Sequence, residues 1–304
     1  MRAIVCTKYG PPNVLQLREV DKPSPRDNEV LVKIHATTVT SSDCIVRGFR
    51  LPIAMWIPAR IALGLSGPRK PILGVELAGE IEAVGSRVAR FSVGDRVFAF
   101  TGRSGFGAYA EYACLPEDGL VAVMPAGVTY EEIAATTFAS LAWHFLRKAN
   151  IQEGHRVLVY GASGAAGTYA VQLAKYMGAE VVGVCGSANL ELVRSLGADE
   201  AIDYTKADFT KSGELYDVIF DAVGKISKSS CRNALTPNGT YVSINQGNPW
   251  PRVEDLAFLM ELVKTKQIRS VIDRRYPLEA IPEAHRYVEE GHKKGNVIVT
   301  VSVS

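Results

Sequence analysis

Between residues 156 and 178 a β-branched run, RVLVY, breaks into GASGAAG and continues as the helix-forming TYAVQLAKYMG. A strand that becomes a helix through glycine, alanine and serine leaves room for a large anion against the backbone. The helix start there offers unpaired N–H groups and the positive end of its dipole. A small-residue loop by itself is also an ordinary turn. Here it opens a series of strand patterns, RVLVY, EVVGVC, EAIDY, YDVIFDAVG and GTYVSI, separated by the helical patterns AAGTYAVQLAKYMG, NLELVRSLG and SKSSCRNAL. That alternation predicts an α/β architecture with a doubly wound parallel sheet, the context a dinucleotide-binding turn requires. The candidate pyrophosphate contacts are Gly161, Ala162, Ser163, Gly164, Ala165, Ala166 and Gly167.

The second strand bears on which dinucleotide fits. It ends GVCGSANLEL, with no carboxylate before Glu191. A carboxylate there would hold the ribose hydroxyls of NAD and repel a 2′-phosphate. NADP(H) is therefore the expected cofactor, with Gly186, Ser187 and Asn189 around its phosphate. No Arg or Lys stands at the expected place, and Ser187 and Asn189 read equally well as N-caps of the next helix.

A chain of 304 residues is long for one core, so two domains are expected. The first 124 residues lean to short strands (VLVKIHATTVT, GVELAGEIEAVG, VGDRVFAF, AYAEYACLP). The α/β series occupies 125–266, beginning with the helical TYEEIAATTFASLAWHFLRKA, where Thr129 and Glu132 form a capping-box pattern. Residues 267–304 are read as a helix and strand returning to the β-rich domain. With 34 basic against 32 acidic residues and no long basic block, nothing favours nucleic acid. Five scattered cysteines without a CxxC pair suit reduced thiols and a cytoplasmic setting. The apolar stretch LPIAMWIPARIALGL is broken by two prolines and Arg60, so no membrane span is expected. The histidines form no ligand pair: His144 reads as helix packing, His285 and His292 as surface or hinge.

The stretch GASGAAGTYAVQLAKYMGAEVVGVCGSANLELVRSLGADEAIDY resembles the medium-chain dehydrogenase/reductase superfamily, in its zinc-independent quinone oxidoreductase branch. KPILGVELAGEIEAVGSRVARFSVGDRVFAF and YPLEAIPEAHRYVEEGHKKGNVIVTV look like the same family. The resemblance implies a GroES-like catalytic domain interrupted by a Rossmann domain, with the active site in the cleft between them. Zinc-using relatives have Cys-x-x-Asp where this chain has Thr40-Ser41-Ser42-Asp43, and Gly-His-Glu where it has Gly74-Val75-Glu76. No metal is expected. Tyr204 then matches a position near the adenosine, Val223 and Gly224 the loop after the fourth strand, and Ile244 and Asn245 the nicotinamide side. Asn296 stands where relatives often have lysine.

Thr40 replaces an asparagine facing the nicotinamide region and is the catalytic candidate with Asp43, which also reads as a helix cap. Glu76 reads as a buried structural carboxylate. Phe49, Met55, Trp56 and Ile57 are expected to shape an acceptor pocket or lid, with a packed excursion or an interfacial anchor as other readings. The function implied is NADPH-dependent hydride transfer to a small apolar quinone or α,β-unsaturated carbonyl compound. The rival readings are an enoyl-thioester reductase, a cofactor-binding sensor and a zinc alcohol dehydrogenase. A homodimer is the expectation from the resemblance, although the short connection at 245–255 alters the segment that relatives use to pair.

Overall fold

The computed structural model of the chain describes residues 1–102, 105–247 and 251–301. It divides into two compact units, Met1–Ala135 with Ile272–Ser304, and Thr136–Val271. Along the chain the first unit contains β1 (Arg2–Cys6), β2 (Leu15–Glu19), β3 (Glu29–Thr38), α1 (Ser41–Gly48), α2 (Trp56–Leu63), β4 (Glu76–Val84), β5 (Arg96–Phe100), β6 (Tyr112–Pro116), β7 (Val121–Val123) and α3 (Tyr130–Ala134). The second holds α4 (Thr137–Lys148), β8 (Arg156–Tyr160), α5 (Ala165–Tyr176), β9 (Glu180–Cys185), α6 (Leu190–Ser195), β10 (Glu200–Asp203), β11 (Tyr216–Asp221), β12 (Leu235–Ser243) and α7 (Val253–Lys264). The chain then returns to the first unit as β13 (Ile272–Pro277), α8 (Ile281–Glu289) and β14 (Asn296–Thr300).

The first unit is built on a sheet ordered β13-β14-β3-β4-β5-β7, with β6 also pairing β3 and a separate β1–β2 ribbon. Its neighbours are antiparallel except β13 and β14, which run parallel. Inward-facing Val32, Ile34, Leu77, Ile81 and Val97 close the core with Ile281, Ala284 and Val288 of α8. The final strand pairs with β3, more than 250 residues earlier in the chain.

The second unit is a five-stranded, all-parallel sheet ordered β10-β9-β8-β11-β12. The order reverses at β8, so the crevice at the carboxyl ends of β8 and β11 is the topological switch point. Helix α5 is buried along Ala165–Ala174. A helix buried on every side needs small residues where it meets the sheet, and AAGTYAVQLA supplies them.

Several elements differ from the sequence expectation. The helical run 129–149 stops at Ala134 and restarts at Thr137, so the change of unit falls at 135/136 and not at 124/125. Short α3 packs on β3 and β4 of the first sheet. The second change falls at 271/272 and not at 266/267, where β13, unread in the sequence, begins. The expected helix SKSSCRNAL is instead a set of serine turns ending in one 3-10 turn, Arg232–Ala234. Ser227, Ser229 and Ser230 bond one another and the local backbone, which competes with helix. The short connection at 245–255 includes residues 248–250, which lie outside the described residues. Among the described residues no helix is long and apolar enough to cross a membrane.

Candidate functional site

In the second unit, β8 ends at Tyr160 and the chain turns through Gly161, whose φ of +80° only glycine adopts freely. A Cβ on Gly161 would sit 2.5 Å from Val223 Cγ1, and one on Gly167 2.1 Å from the Gly161 carbonyl oxygen. Both glycines are thus demanded by the protein's own packing. Gly164, the N-cap of α5, is different. It has an ordinary φ of −79° and no side-chain cap, and a Cβ there would meet nothing closer than 3.4 Å. The protein leaves that face open at the start of a twelve-residue helix, beside Ser163, Ala165 and Ala166. A pyrophosphate fits such a cradle.

The rim of this crevice is organised by a residue that the sequence reading passed over. Asp221, at the end of β11, is 0% exposed. Its Oδ1 accepts the N–H groups of Val223 (3.2 Å), Gly224 (2.8 Å) and Lys225 (3.3 Å). Its Oδ2 accepts from Ile226 N (3.2 Å), Tyr241 Oη (3.3 Å) and Ser243 Oγ (3.2 Å). One carboxylate therefore binds the Val223–Gly224 loop to the end of β12. There the Asn245 amide donates to the Gly224 carbonyl at 3.0 Å, and Ser243 Oγ accepts from Asn245 N. Val223 and Gly224 are thus brought together with Ile244 and Asn245, two pairs taken separately from the sequence.

At the end of β9, Gly186 leaves open space, with the exposed Tyr204 ring 3.7 Å from its Cβ position. The Asn189 amide donates to Ser163 Oγ at 3.2 Å, while its buried Oδ1 has no partner. Ser187 donates to Asp203 Oδ2 at 2.5 Å. Asp203 comes from the end of β10, so a carboxylate does stand at this corner, delivered by the third strand and not the second. Hydrogen bonds from Ser187 and then Thr205 hold its pKa below the usual carboxylate range. Lys206 Nζ lies 3.8 Å from the same Oδ2 and is a cation that the sequence reading did not identify there.

In the first unit, Thr40 caps α1 in a capping box. Thr40 Oγ1 accepts from Asp43 N (3.2 Å), and Asp43 Oδ2 accepts from both Thr40 N (2.8 Å) and Thr40 Oγ1 (2.6 Å). The Thr40 hydroxyl proton is thus engaged inside the cap. Asp43 is fully buried, its Oδ1 lacks a hydrogen bond, and burial raises its pKa to about 6 against the pull of the Thr40 contacts. The Tyr109 hydroxyl lies beside this carboxyl and meets His285 Nε2 at 3.2 Å. His285 Nδ1 in turn meets Cys44 Sγ at 3.4 Å. His285 is not the surface or hinge residue expected, because it lies on the α8 face that packs inward with Ile281, Ala284 and Val288. Glu76 is buried and accepts from Thr38 Oγ1 at 2.8 Å. Lys293 is half-buried, donates to the Gly295 carbonyl at 2.6 Å, and is pulled down to about 8 by burial. Asn296 is buried at the start of β14. Phe49 is 6% exposed and packs inward, whereas Met55, Trp56 and Ile57 are exposed. His144 is exposed on α4 and is no packing residue.

Zinc does not fit these residues. The Cys44 thiol faces His285 at 3.4 Å, and burial pushes its pKa up to about 12. Thr40 is tied into its cap and Val75 is apolar. Among the described residues no group of three or more His, Cys, Asp or Glu is placed to hold a metal.

Asp43 and His285 titrate in opposition. Asp43 is easier to protonate folded than unfolded, so its stabilising contribution is full below about 4 and is lost as pH rises through about 6. His285 is held neutral by burial, with a folded pKa near 3 against 6.5 unfolded. Its contribution is full above 6.5 and is lost as pH falls toward 3. Asp43→Asn is therefore expected to steepen the loss of stability between pH 6.5 and 4, by about 3 kcal/mol from a two-unit shift. His285→Gln is expected to flatten it. Urea unfolding across that range measures both, and parallel profiles for parent and variants would refute the assignment.

Residues 165–287 match the family described as zinc-binding dehydrogenase, and residues 26–126 match the alcohol dehydrogenase GroES-like domain. The chain is 32% identical to the chloroplastic quinone-oxidoreductase homolog of Spinacia oleracea, over 98% of each chain. It is 29% identical to the chloroplastic NADPH-dependent alkenal/one oxidoreductase of Arabidopsis thaliana, over 98% of this chain and 79% of that one. The solved quinone oxidoreductase from Coxiella burnetii superposes with a TM-score of 0.88 at 27% identity, covering 99% of both chains.

Proposed function

This chain belongs to the medium-chain dehydrogenase/reductase superfamily, in its quinone oxidoreductase-like branch, and from that premise we propose that it reduces quinones or α,β-unsaturated carbonyl compounds with NADPH and without a metal. Its fold is the GroES-like β-rich unit plus the Rossmann-type parallel sheet of that family. The observation that carries the reading is the open face at Gly164, where the protein's own packing asks for no glycine. When bound, the nicotinamide supplies a hydride.

The chain's residues do the rest by holding and orienting. The loop from Gly161 to Gly167 and the start of α5 take the pyrophosphate. Gly186, Ser187, Asn189 and Tyr204 take the adenosine end. Val223, Gly224, Ile244 and Asn245, stiffened by Asp221, hold the nicotinamide end. In this reading Thr40 and Asp43 form a rigid polar corner. Without a Lewis acid the favoured acceptor is electron-poor and conjugated, because the incoming charge spreads over the acceptor itself. Solvent supplies the proton. The homodimer belongs to the proposal by resemblance, and the cytoplasmic setting rests on the scattered cysteines of the sequence.

Cofactor oxidation in the presence of a chelator, against a quinone, an enone, an enoyl thioester and a simple aldehyde, tests the reading. Quinone or enone turnover that survives the chelator is expected. Aldehyde reduction lost to the chelator would sink it, and NADPH binding with no turnover on any acceptor would replace it with a sensor.

Asp203 favours a second reading, NADH, since a carboxylate at that corner repels a 2′-phosphate. We favour NADPH because Ser187, Thr205 and Lys206 already surround this carboxylate. Lys206→Ala is expected to weaken NADPH binding about tenfold, about 1.4 kcal/mol, and to leave NADH within about twofold. Equal effects on the two cofactors, measured by titration, would favour NADH.

A further inference from the structure

Residues Pro52–Pro58 are exposed without interruption, and none has a charged or hydroxyl side chain. The polar atom of Trp56 is already satisfied, its indole N–H donating to the Leu51 carbonyl at 2.9 Å. Ile53, Ile57 and Ile61 follow at four-residue spacing, 86%, 76% and 63% exposed, and Leu65 is 77% exposed. Exposed apolar residues usually occur singly, and a cluster of this kind marks a surface that something covers. The segment is held firmly. Phe49 lies 4.7 Å from Tyr9 and beneath the Arg60 guanidinium at 4.0 Å, Arg60 donates to the Leu65 carbonyl, and Arg69 N donates to the Leu63 carbonyl at 2.7 Å.

The charge pattern narrows what covers it. From residue 44 to 75 the chain has five basic residues, Arg47, Arg50, Arg60, Arg69 and Lys70, and no Asp or Glu. Arg47 and Arg50 are taken by Glu289, and Arg60 lies over aromatic rings. Arg69 and Lys70 stand exposed at the end of the segment. A protein partner would need hydrogen-bonding groups at roughly one per 100–200 Å², and Pro52–Pro58 offers none from its side chains. A second copy would bring like charges together. Hydrocarbon beneath anionic headgroups asks for neither, and it matches apolar residues with tryptophan among them, bordered by cations.

We propose that the face formed by Ile53, Met55, Trp56, Ile57, Ile61 and Leu65 docks the protein onto an anionic lipid bilayer surface, with Arg69 and Lys70 meeting the headgroups. The docking does not depend on which acceptor is reduced. The full chain, sedimented with vesicles of phosphatidylcholine alone or mixed with phosphatidylglycerol, tests it. Binding to the mixed vesicles is expected, weakened by salt and by Arg69→Glu with Lys70→Glu, and reduced about tenfold or more by Ile53→Glu with Ile61→Glu. Circular dichroism and thermal unfolding check that the variants fold as the parent does. The proposal is overturned by no binding to mixed vesicles, by equal salt-insensitive binding to both kinds, or by indifference to Ile53→Glu with Ile61→Glu. It is equally overturned by a dimer that Ile53→Glu with Ile61→Glu dissolves while no vesicle binding occurs.

Discussion

Gly164→Val is expected to leave the second unit folded and to weaken NADPH binding about a hundredfold, about 2.7 kcal/mol. The backbone at Gly164 suits any residue, and a Cβ there clears Gly161 O by 3.4 Å and Val223 Cγ1 by 3.9 Å. Losing a glycine N-cap to valine costs about 1 kcal/mol or less in stability. The added methyls would instead fill the space assigned to the pyrophosphate. Gly167→Ala is the contrasting case. Its Cβ would stand 2.1 Å from the Gly161 carbonyl oxygen and 2.8 Å from Ala162 Cα, both backbone atoms that cannot step aside. That substitution is expected to destabilise the unit by about 3 kcal/mol, because it forces α5 away from the turn. Isothermal titration with NADPH and urea unfolding separate the two effects. A Gly164→Val protein that binds NADPH like the parent would show that the open face is not where the phosphates lie.

Asp221→Ala is expected to cost about 4 kcal/mol of stability and to loosen the Val223–Ile226 turn. Six donors converge on this buried carboxylate, four of them backbone N–H groups in the tight turn from Val223 to Ile226. Removing the acceptor strands those donors, and each one left buried without a partner costs about 1–3 kcal/mol. Some reach water after the turn relaxes, which keeps the total below their sum. Asp221→Asn retains one oxygen but turns an NH₂ group toward donors, so it recovers part of the loss and not all of it. The readouts are the urea midpoint and the NADPH affinity. A loss under about 1 kcal/mol with unchanged affinity would mean that the Val223–Gly224 and Ile244–Asn245 segments hold their shape independently of Asp221.

Sequence reasoning found what is written over short spans. The glycine loop, the strands after Arg156 and the Thr129–Glu132 capping box all follow from local spacing and periodicity. It failed where one residue's role depends on another far along the chain. Ser187 reads as a bare cap or phosphate ligand until Asp203, sixteen residues on, supplies a carboxylate to its hydroxyl. His285 reads as a surface residue until the α8 face is known to turn inward, toward Tyr109, which is 176 residues away. Asp221 is a plain strand-end aspartate in the string YDVIFDAVG. Only the adjacency of β11 and β12 makes it the hub of two loops.

What the sequence by itself determined is the kind of fold and the place of the glycine turn between β8 and α5, because hydrophobic period, helix caps and glycine positions act within a few residues. What only the tertiary structure decided is which of the three loop glycines is demanded by packing, where the carboxylates sit and which apolar residues stay exposed. Those outcomes depend on distances between strands and helices that no local pattern contains. A Cβ has room at Gly164 and none at Gly167 only once α5 has been laid against the turn after β8.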